Sequence, residues 1–341
     1  MGRILRGLAG EGHLRVVAAE TADVVEEARR RHGLSPTATA ALGRAMTGAL
    51  LLAQLLLKTP KERLTLRLEG TGPLGGLVVE ADAQGHVRGY VQNPEAEVPL
   101  RADGKLNVGE LVGAGVLRVD RSLPNGEIYS STVPLVSGEI AEDLAHYLWQ
   151  SEQIPSAVLL GVRVKGEGEV EVAGAWRSRV MPEAPEEVLQ RLEANLSGLA
   201  GLTPLLKERG LEGTLEVLLA GLGFERTDLR ALGYALNEIP ARFRCRCSRE
   251  KALEALVFFT PEEREDMIVK DGGAEVVCHW CGEVYRFSPE EIRSLVAEVR
   301  CPDCGTLWLY PRADGTLFRI EGDTCRCGRK VEIPAERRAQ A

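Results

Sequence analysis

The chain has 341 residues, 44% hydrophobic and 27% charged, with 50 acidic side chains against 42 basic ones and a net charge of −8. That length supports a sizeable core and more than one domain. The acidic balance argues against non-specific capture of nucleic-acid phosphates, which needs a basic surface to release counterions.

The first residues, MGRILRGLAGEGHLRVV, lack the apolar stretch and small-residue cleavage site of a secretory signal. Arg6 spoils the myristoylation pattern that Gly2 would begin. Arg15 to Ala19 reads as a short strand, and Ser35-Pro36-Thr37 caps an alanine- and leucine-rich helix running to about Lys58. Its most apolar run, Ala49 to Leu57, falls short of the roughly 20 residues of a membrane span. A cytosolic protein with no membrane partner is expected. Leu64 to Leu68 alternates as a half-buried strand does, Gly70 to Gly76 turns, and Leu77 to Glu80, Val87 to Val91 and Val116 to Asp120 continue the sheet. Gly138 to Gln153 is a second amphipathic helix, followed by strands at Val158 to Val164 and Val170 to Trp176. Strands and helices intermingle without a βαβ rhythm, so the fold class is α+β, with a mixed sheet-and-helix core over residues 1–180.

Met181-Pro182-Glu183-Ala184-Pro185 breaks this unit. Residues 186–236 keep helical leucine spacing but contain Gly198, Gly201, Gly210, Gly213, Gly221, Gly223 and Gly233. A glycine costs a helix interior about 1 kcal/mol relative to alanine. Short helices with glycine caps fit this pattern, and so does a linker (181–238) poised near its unfolding threshold; composition does not separate the two.

All eight cysteines fall at or after Cys245, as four pairs: Cys245-x-Cys247, Cys278-x-x-Cys281, Cys301-x-x-Cys304 and Cys325-x-Cys327. In the reducing cytosol such pairing signals metal or redox chemistry rather than structural disulfides. Paired thiolates suit tetrahedral Zn²⁺, so four pairs imply two Cys₄ sites. Three divisions are open. Spacing favours Cys278, Cys281, Cys301 and Cys304, with 19 residues between the pairs, leaving Cys245, Cys247, Cys325 and Cys327 to one another. Joining neighbours instead puts 30 residues between Cys247 and Cys278 and 20 between Cys304 and Cys325. Thr306 to Tyr310 and Thr316 to Ile320 alternate around Arg312-Ala313-Asp314-Gly315, a hairpin signal that makes local closure of the last two pairs plausible. A disulfide across Cys-x-Cys closes a very small ring near the upper limit of disulfide geometry, so it is easily reduced and suits a reversible switch.

Phe243-Arg244-Cys245-Arg246-Cys247-Ser248-Arg249-Glu250, Cys278-His279-Trp280-Cys281 and Tyr285-Arg286-Phe287 together resemble the zinc switch of the heat shock protein 33 family of redox-regulated chaperones. Glu62 to Leu66, Gly72 to Gly76, Val87 to Val91 and Asn93-Pro94 are similar to its core signatures. So are Val133 to Asp143 and Ser151 to Ser156. The resemblance covers about residues 1–297. It implies that Cys245, Cys247, Cys278 and Cys281 hold one Zn²⁺ in the inactive, reduced protein, which favours 245/247 with 278/281 as the first site. It also implies that oxidation forms Cys245–Cys247 and Cys278–Cys281 disulfides, that zinc leaves, and that the linker unfolds. The product is then a dimeric, ATP-independent holdase that binds unfolding client proteins under oxidative stress, with no enzymatic activity. On this view residues 239–297 form the redox-switch zinc domain. The sequence departs from the family in two places: at Val172 to Arg177, where the family more usually has a Gly-Gly segment, and in an extension, 298–341, for which the family pattern offers no precedent. There Cys301, Cys304, Cys325 and Cys327 are expected to form a second zinc site of ribbon type.

Other motifs carry less. His279 lies between two expected ligands, and Gly70-Thr71-Gly72-Pro73-Leu74-Gly75 mimics a G-x-G-x-x-G loop without the helix that a nucleotide site needs. His146 follows Glu139, Glu142 and Asp143, which read as the solvated face of the helix. The alternative function is a zinc-ribbon protein binding nucleic acid through Arg242, Arg244, Arg246, Arg249, Arg326 and Arg329; the acidic charge and absence of an aromatic platform oppose it.

Overall fold

A computed structural model of the chain describes residues 2–166, 168–225, 238–295, 299–301, 303–311, 317–319 and 324–331. The chain forms two compact units, Met1–Cys245 and Arg246–Ala341.

The first unit contains β1 (Arg3–Ala9), β2 (Leu14–Glu20), α1 (Ala22–His32), α2 (Pro36–Leu56), β3 (Arg63–Gly70), β4 (Gly76–Ala81), β5 (His86–Val91), α3 (Val108–Val112), β6 (Gly115–Ser122), β7 (Ile128–Pro134), α4 (Ala141–Gln150), β8 (Ser156–Val164), β9 (Val170–Val180), α5 (Glu186–Ser197), α6 (Leu202–Leu218), β10 (Phe224–Glu225), β11 (Glu238–Pro240) and β12 (Arg242–Phe243). One sheet runs β10-β1-β2-β9-β8, with β11 also on β1; the other runs β12-β5-β4-β3-β6-β7. Every pairing is antiparallel except β12 on β5. The fold is α+β.

The helix α2 lies against both sheets, touching β8 and β9 of one and β4 and β5 of the other. Ser35 starts it by accepting the Ala38 N–H at 3.1 Å, with Pro36 in the first turn. It is long and apolar enough to cross a membrane, but its apolar stretch is 89% buried. Small residues permit that burial: a Cβ at Gly43 would stand 2.6 Å from Val25, and one at Gly48 would stand 2.4 Å from Leu144.

The β1-β2-β9 sheet is buried on both faces. Ile4, Val17, Ala19, Ala173 and Ala175 face α2. Leu5, Leu14, Val16, Ala18 and Trp176 face a second apolar cluster, completed by Leu192 of α5 and Leu202, Leu206, Leu211, Leu215 and Leu218 of α6. Two-sided burial explains why β2 contains the continuous apolar run Val16 to Ala19, whereas β3, β4 and β5 alternate. Gly161 and Gly174 are cross-strand partners on β8 and β9, and a Cβ on either would stand 2.5 Å from Thr203 or Leu206 of α6. The glycine-interrupted segment thus folds as two helices packed on the sheet, the second bent at Gly210, whose φ is 66°. Gly233 lies outside the described residues.

The second unit holds α7 (Arg249–Ala255), a 3₁₀ turn (Leu256–Phe258), α8 (Pro261–Asp271), β13 (Ala274–Val277), β14 (Val284–Phe287) and α9 (Pro289–Arg293) around Leu256, Val257, Ile268, Phe287 and Ile292. Beyond them β15 (Val299–Arg300), β16 (Leu307–Pro311) and β17 (Leu317–Arg319) form a three-stranded antiparallel sheet. The strands of the expected hairpin are therefore present; its turn, Arg312-Ala313-Asp314-Gly315, lies outside the described residues.

Candidate metal centres

Two groups of four cysteines converge, each with its sulfurs within 4.8 Å of one another: Cys245, Cys247, Cys278 and Cys281, and Cys301, Cys304, Cys325 and Cys327. The division favoured by spacing, 278/281 with 301/304, is wrong. The β13–β14 hairpin carries Cys278 and Cys281 in its own turn, while Cys301 and Cys304 lie in the turn between β15 and β16. Local hairpin closure outweighs a ribbon-like sequence interval.

In the first cluster Cys281 is buried and the other three are half-buried. Cys278 and Cys281 occupy a tight turn in which the Gly282 N–H donates to Cys278 O at 2.7 Å. Gly282 has φ 70°, which suits glycine. Cys245 follows β12, which is fixed by the Arg244 N–H donating to Val87 O at 3.0 Å. Arg88 of β5 donates to Cys245 Sγ at 3.5 Å and pairs with Glu80 at 3.1 Å. The Tyr285 hydroxyl donates to Cys247 Sγ at 3.2 Å, and the sulfurs of Cys247 and Cys281 lie 3.4 Å apart. That hydrogen bond, with burial second, holds the Tyr285 phenol above its ordinary range. Four thiols and no carboxylate or imidazole form this group; His279 is not in it. The set fits Zn²⁺, whose bonds of about 2.3 Å to thiolate space tetrahedral sulfurs about 3.8 Å apart.

In the second cluster Cys301 and Cys325 are buried, Cys304 is half-buried and Cys327 exposed. The neighbouring Trp308 indole N–H is the chief influence drawing the Cys325 thiol down to about 6. The Thr306 hydroxyl lies 3.1 Å from Cys304 Sγ and lowers that thiol as well.

Elsewhere the expected chemistry dissolves into structure. Asp143 is fully buried, not solvated: its Oδ1 accepts the N–H groups of Val136, Ser137 and Gly138 at 2.7–3.3 Å, and its Oδ2 accepts that of Ile140 at 2.8 Å. Glu139 pairs with Arg44 and accepts the Gly109 N–H at 2.9 Å. A helical periodicity does not see loop N–H groups folded back over the helix start, so these carboxylates were out of its reach. Gly70 to Gly75 is a turn between β3 and β4, where a Cβ at Gly72 would stand 2.3 Å from Leu111 O. Of the basic groups in the nucleic-acid alternative, Arg249 is tied to Glu291 at 2.8 Å over the Phe287 ring, and Arg329 to Asp303 at 2.9 Å.

A two-sheet α+β core, a helical pair covering one sheet face and a four-thiol centre able to hold a metal ion define a thiol-centred class of protein. The chain belongs to the Hsp33 family, whose profile, described as Hsp33 protein, matches residues 2–288. It is 89% identical over 341 residues to the 33 kDa chaperonin of Thermus thermophilus, covering 100% of both chains. To the 33 kDa chaperonin of Deinococcus radiodurans it is 50% identical over 294 residues, 86% of this chain and 97% of the relative. The crystal structure of the 33 kDa chaperonin from Thermotoga maritima matches with TM-score 0.76 and 40% identity over 85% of this chain and 96% of that one. The extension thus has a precedent: the Thermus relative aligns through it, although the family profile stops short.

Proposed function

We propose that this protein is a redox-regulated, ATP-independent holdase of the cytoplasm, inactive when reduced and a dimer that binds unfolding client proteins when oxidised. The observation that carries this reading is the convergence of Cys245, Cys247, Cys278 and Cys281, three of them half-buried and open to small oxidants. When bound there, Zn²⁺ keeps the four sulfurs deprotonated and cross-links their loops. Peroxide takes two electrons from each of the pairs Cys245–Cys247 and Cys278–Cys281. One S–S bond forms per pair, the peroxide O–O bond breaks, and its oxygens leave as two waters after taking up two protons. Sulfurs committed to disulfides are no longer a donor set, and the small domain over 239–297 loses the metal's contribution of roughly 10–16 kcal/mol.

The linker, 181–238, supplies the second half of the reading. Its helices α5 and α6 cover Leu5, Leu14, Val16, Ala18 and Trp176 with leucines. Losing that layer exposes apolar surface on both sheet and helices, which suits capture of unfolded chains. Peroxide treatment at mildly elevated temperature, with zinc release, far-UV helicity and suppression of client aggregation followed together, tests the reading. All three are expected to change in concert; zinc loss with no gain in anti-aggregation activity would sink it.

A further inference from the structure

The family profile stops at residue 288, so the switch leaves the second four-thiol cluster without a role. The two clusters are built differently. In the first, Cys278 and Cys281 sit in a closed turn, but Cys245 and Cys247 lie in a stretch between β12 and α7 with neither turn nor ladder. In the second, both pairs sit in closed turns. Around Cys301 and Cys304, the Gly305 N–H donates to Cys301 O at 2.9 Å and the Cys301 N–H to Thr306 O at 2.8 Å. Around Cys325 and Cys327, the Gly328 N–H donates to Cys325 O at 2.8 Å and the Cys325 N–H to Arg329 O at 2.7 Å. Gly305 and Gly328 take φ of 69° and 88°, the left-handed backbone such turns need. The Arg329–Asp303 ion pair at 2.9 Å ties one turn to the other. The closest sulfurs lie across the turns, Cys301 to Cys327 and Cys304 to Cys325, both at 3.5 Å.

Two preformed turns facing one another present four sulfurs to a single point. Their spacing suits one tetrahedral thiophilic ion and leaves no room for a multi-iron cluster with its own sulfides. Among the described residues, Trp308, Cys304 and Val331 pack with Cys301 and Cys325 in one apolar group beside the four sulfurs.

We propose that Cys301, Cys304, Cys325 and Cys327 hold a second Zn²⁺ that stays bound while the first centre is oxidised, a permanent fastener rather than a second switch. Oxidation needs a thiol pair to leave the metal as a unit. The Cys245–Cys247 arm has no backbone turn of its own, whereas the Cys325–Cys327 pair leaves only by giving up both hydrogen bonds of its turn. The contrast between the centres rests on the switch reading, but the second metal site does not.

Counting zinc on the reduced full-length chain by elemental analysis, before and after peroxide, tests this. Two zinc ions per chain are expected, falling to one. The double variant Cys278→Ser/Cys281→Ser keeps one zinc that peroxide does not release; Cys301→Ser/Cys304→Ser keeps one and loses it. Should the latter fail to fold, cobalt-substituted wild-type protein gives the same answer: its sulfur-to-cobalt absorption halves under peroxide instead of vanishing. One zinc per reduced chain, iron at the second site, or loss of both ions at the same rate overturns the proposal. Two ions that both survive peroxide would sink the switch and leave the second site standing.

Discussion

Asp143 shows how one side chain can hold a loop that lacks regular structure. Its carboxylate satisfies four N–H groups from Val136 to Ile140, where Ile140 itself sits at φ 75° and no ladder is available. Asp143→Ala leaves the buried N–H groups of Gly138 and Ile140 unpaired, so a loss of about 3 kcal/mol is expected. A urea midpoint within error of wild type would refute the assignment. Tyr285 acts on a smaller scale, through one O–H···S bond to Cys247. Removing such an outer partner weakens metal binding by about 10-fold. Tyr285→Phe should therefore surrender zinc from the first centre at a lower chelator concentration while the second centre is unchanged; unaltered competition curves would count against the bond. The four thiol pairs were legible in the sequence because ligand spacing is local. Asp143 was not, because its partners belong to a loop whose course depends on tertiary packing.

At the scale of elements, legibility followed how many faces each element buries. β3, β4 and β5 bury one face and alternate, so their pattern is readable. β1 escaped sequence reasoning: Arg6 and Gly7 interrupt it, and its stability comes from pairing with β2, β10 and β11. β7 escaped because it is a mostly exposed edge strand with little apolar periodicity. The leucine spacing of α5 and α6 was visible, but not the sheet face they cover. That docking depends on the Gly161–Gly174 pair beneath α6. Gly161→Val places side-chain atoms where Thr203 already lies, and overpacking of this kind costs about 1–3 kcal/mol. The expected result is faster proteolysis within α5 and α6 and binding of an apolar dye by the reduced protein, without any oxidant. Reduced Gly161→Val protein that is as protease-resistant as wild type would show that α6 does not depend on this close approach.

Across the whole molecule, the distribution of oxidisable groups separates what must change from what must persist. Every cysteine lies at or after Cys245, so thiol oxidation leaves the two-sheet core covalently intact, and Met46, the methionine of α2, is fully buried. The core still meets the cysteine arm through backbone pairing. β11 is hydrogen-bonded to β1 and β12 to β5, immediately before Cys245, while β10 at the end of the α5–α6 layer also joins β1. The edges beside β1 and β5 are thus made from the chain that leads into and out of the linker. Loss of order in the arm is expected to fray these short strands first. Hydrogen exchange after peroxide at elevated temperature should show amides of α5, α6, β11 and β12 exchanging quickly while those of α2, β3 and β9 stay protected. Uniform loss of protection would mean that the core unfolds with its cover and provides no lasting surface for clients. Unchanged protection in α5 and α6, alongside full anti-aggregation activity, would place client binding elsewhere on the chain.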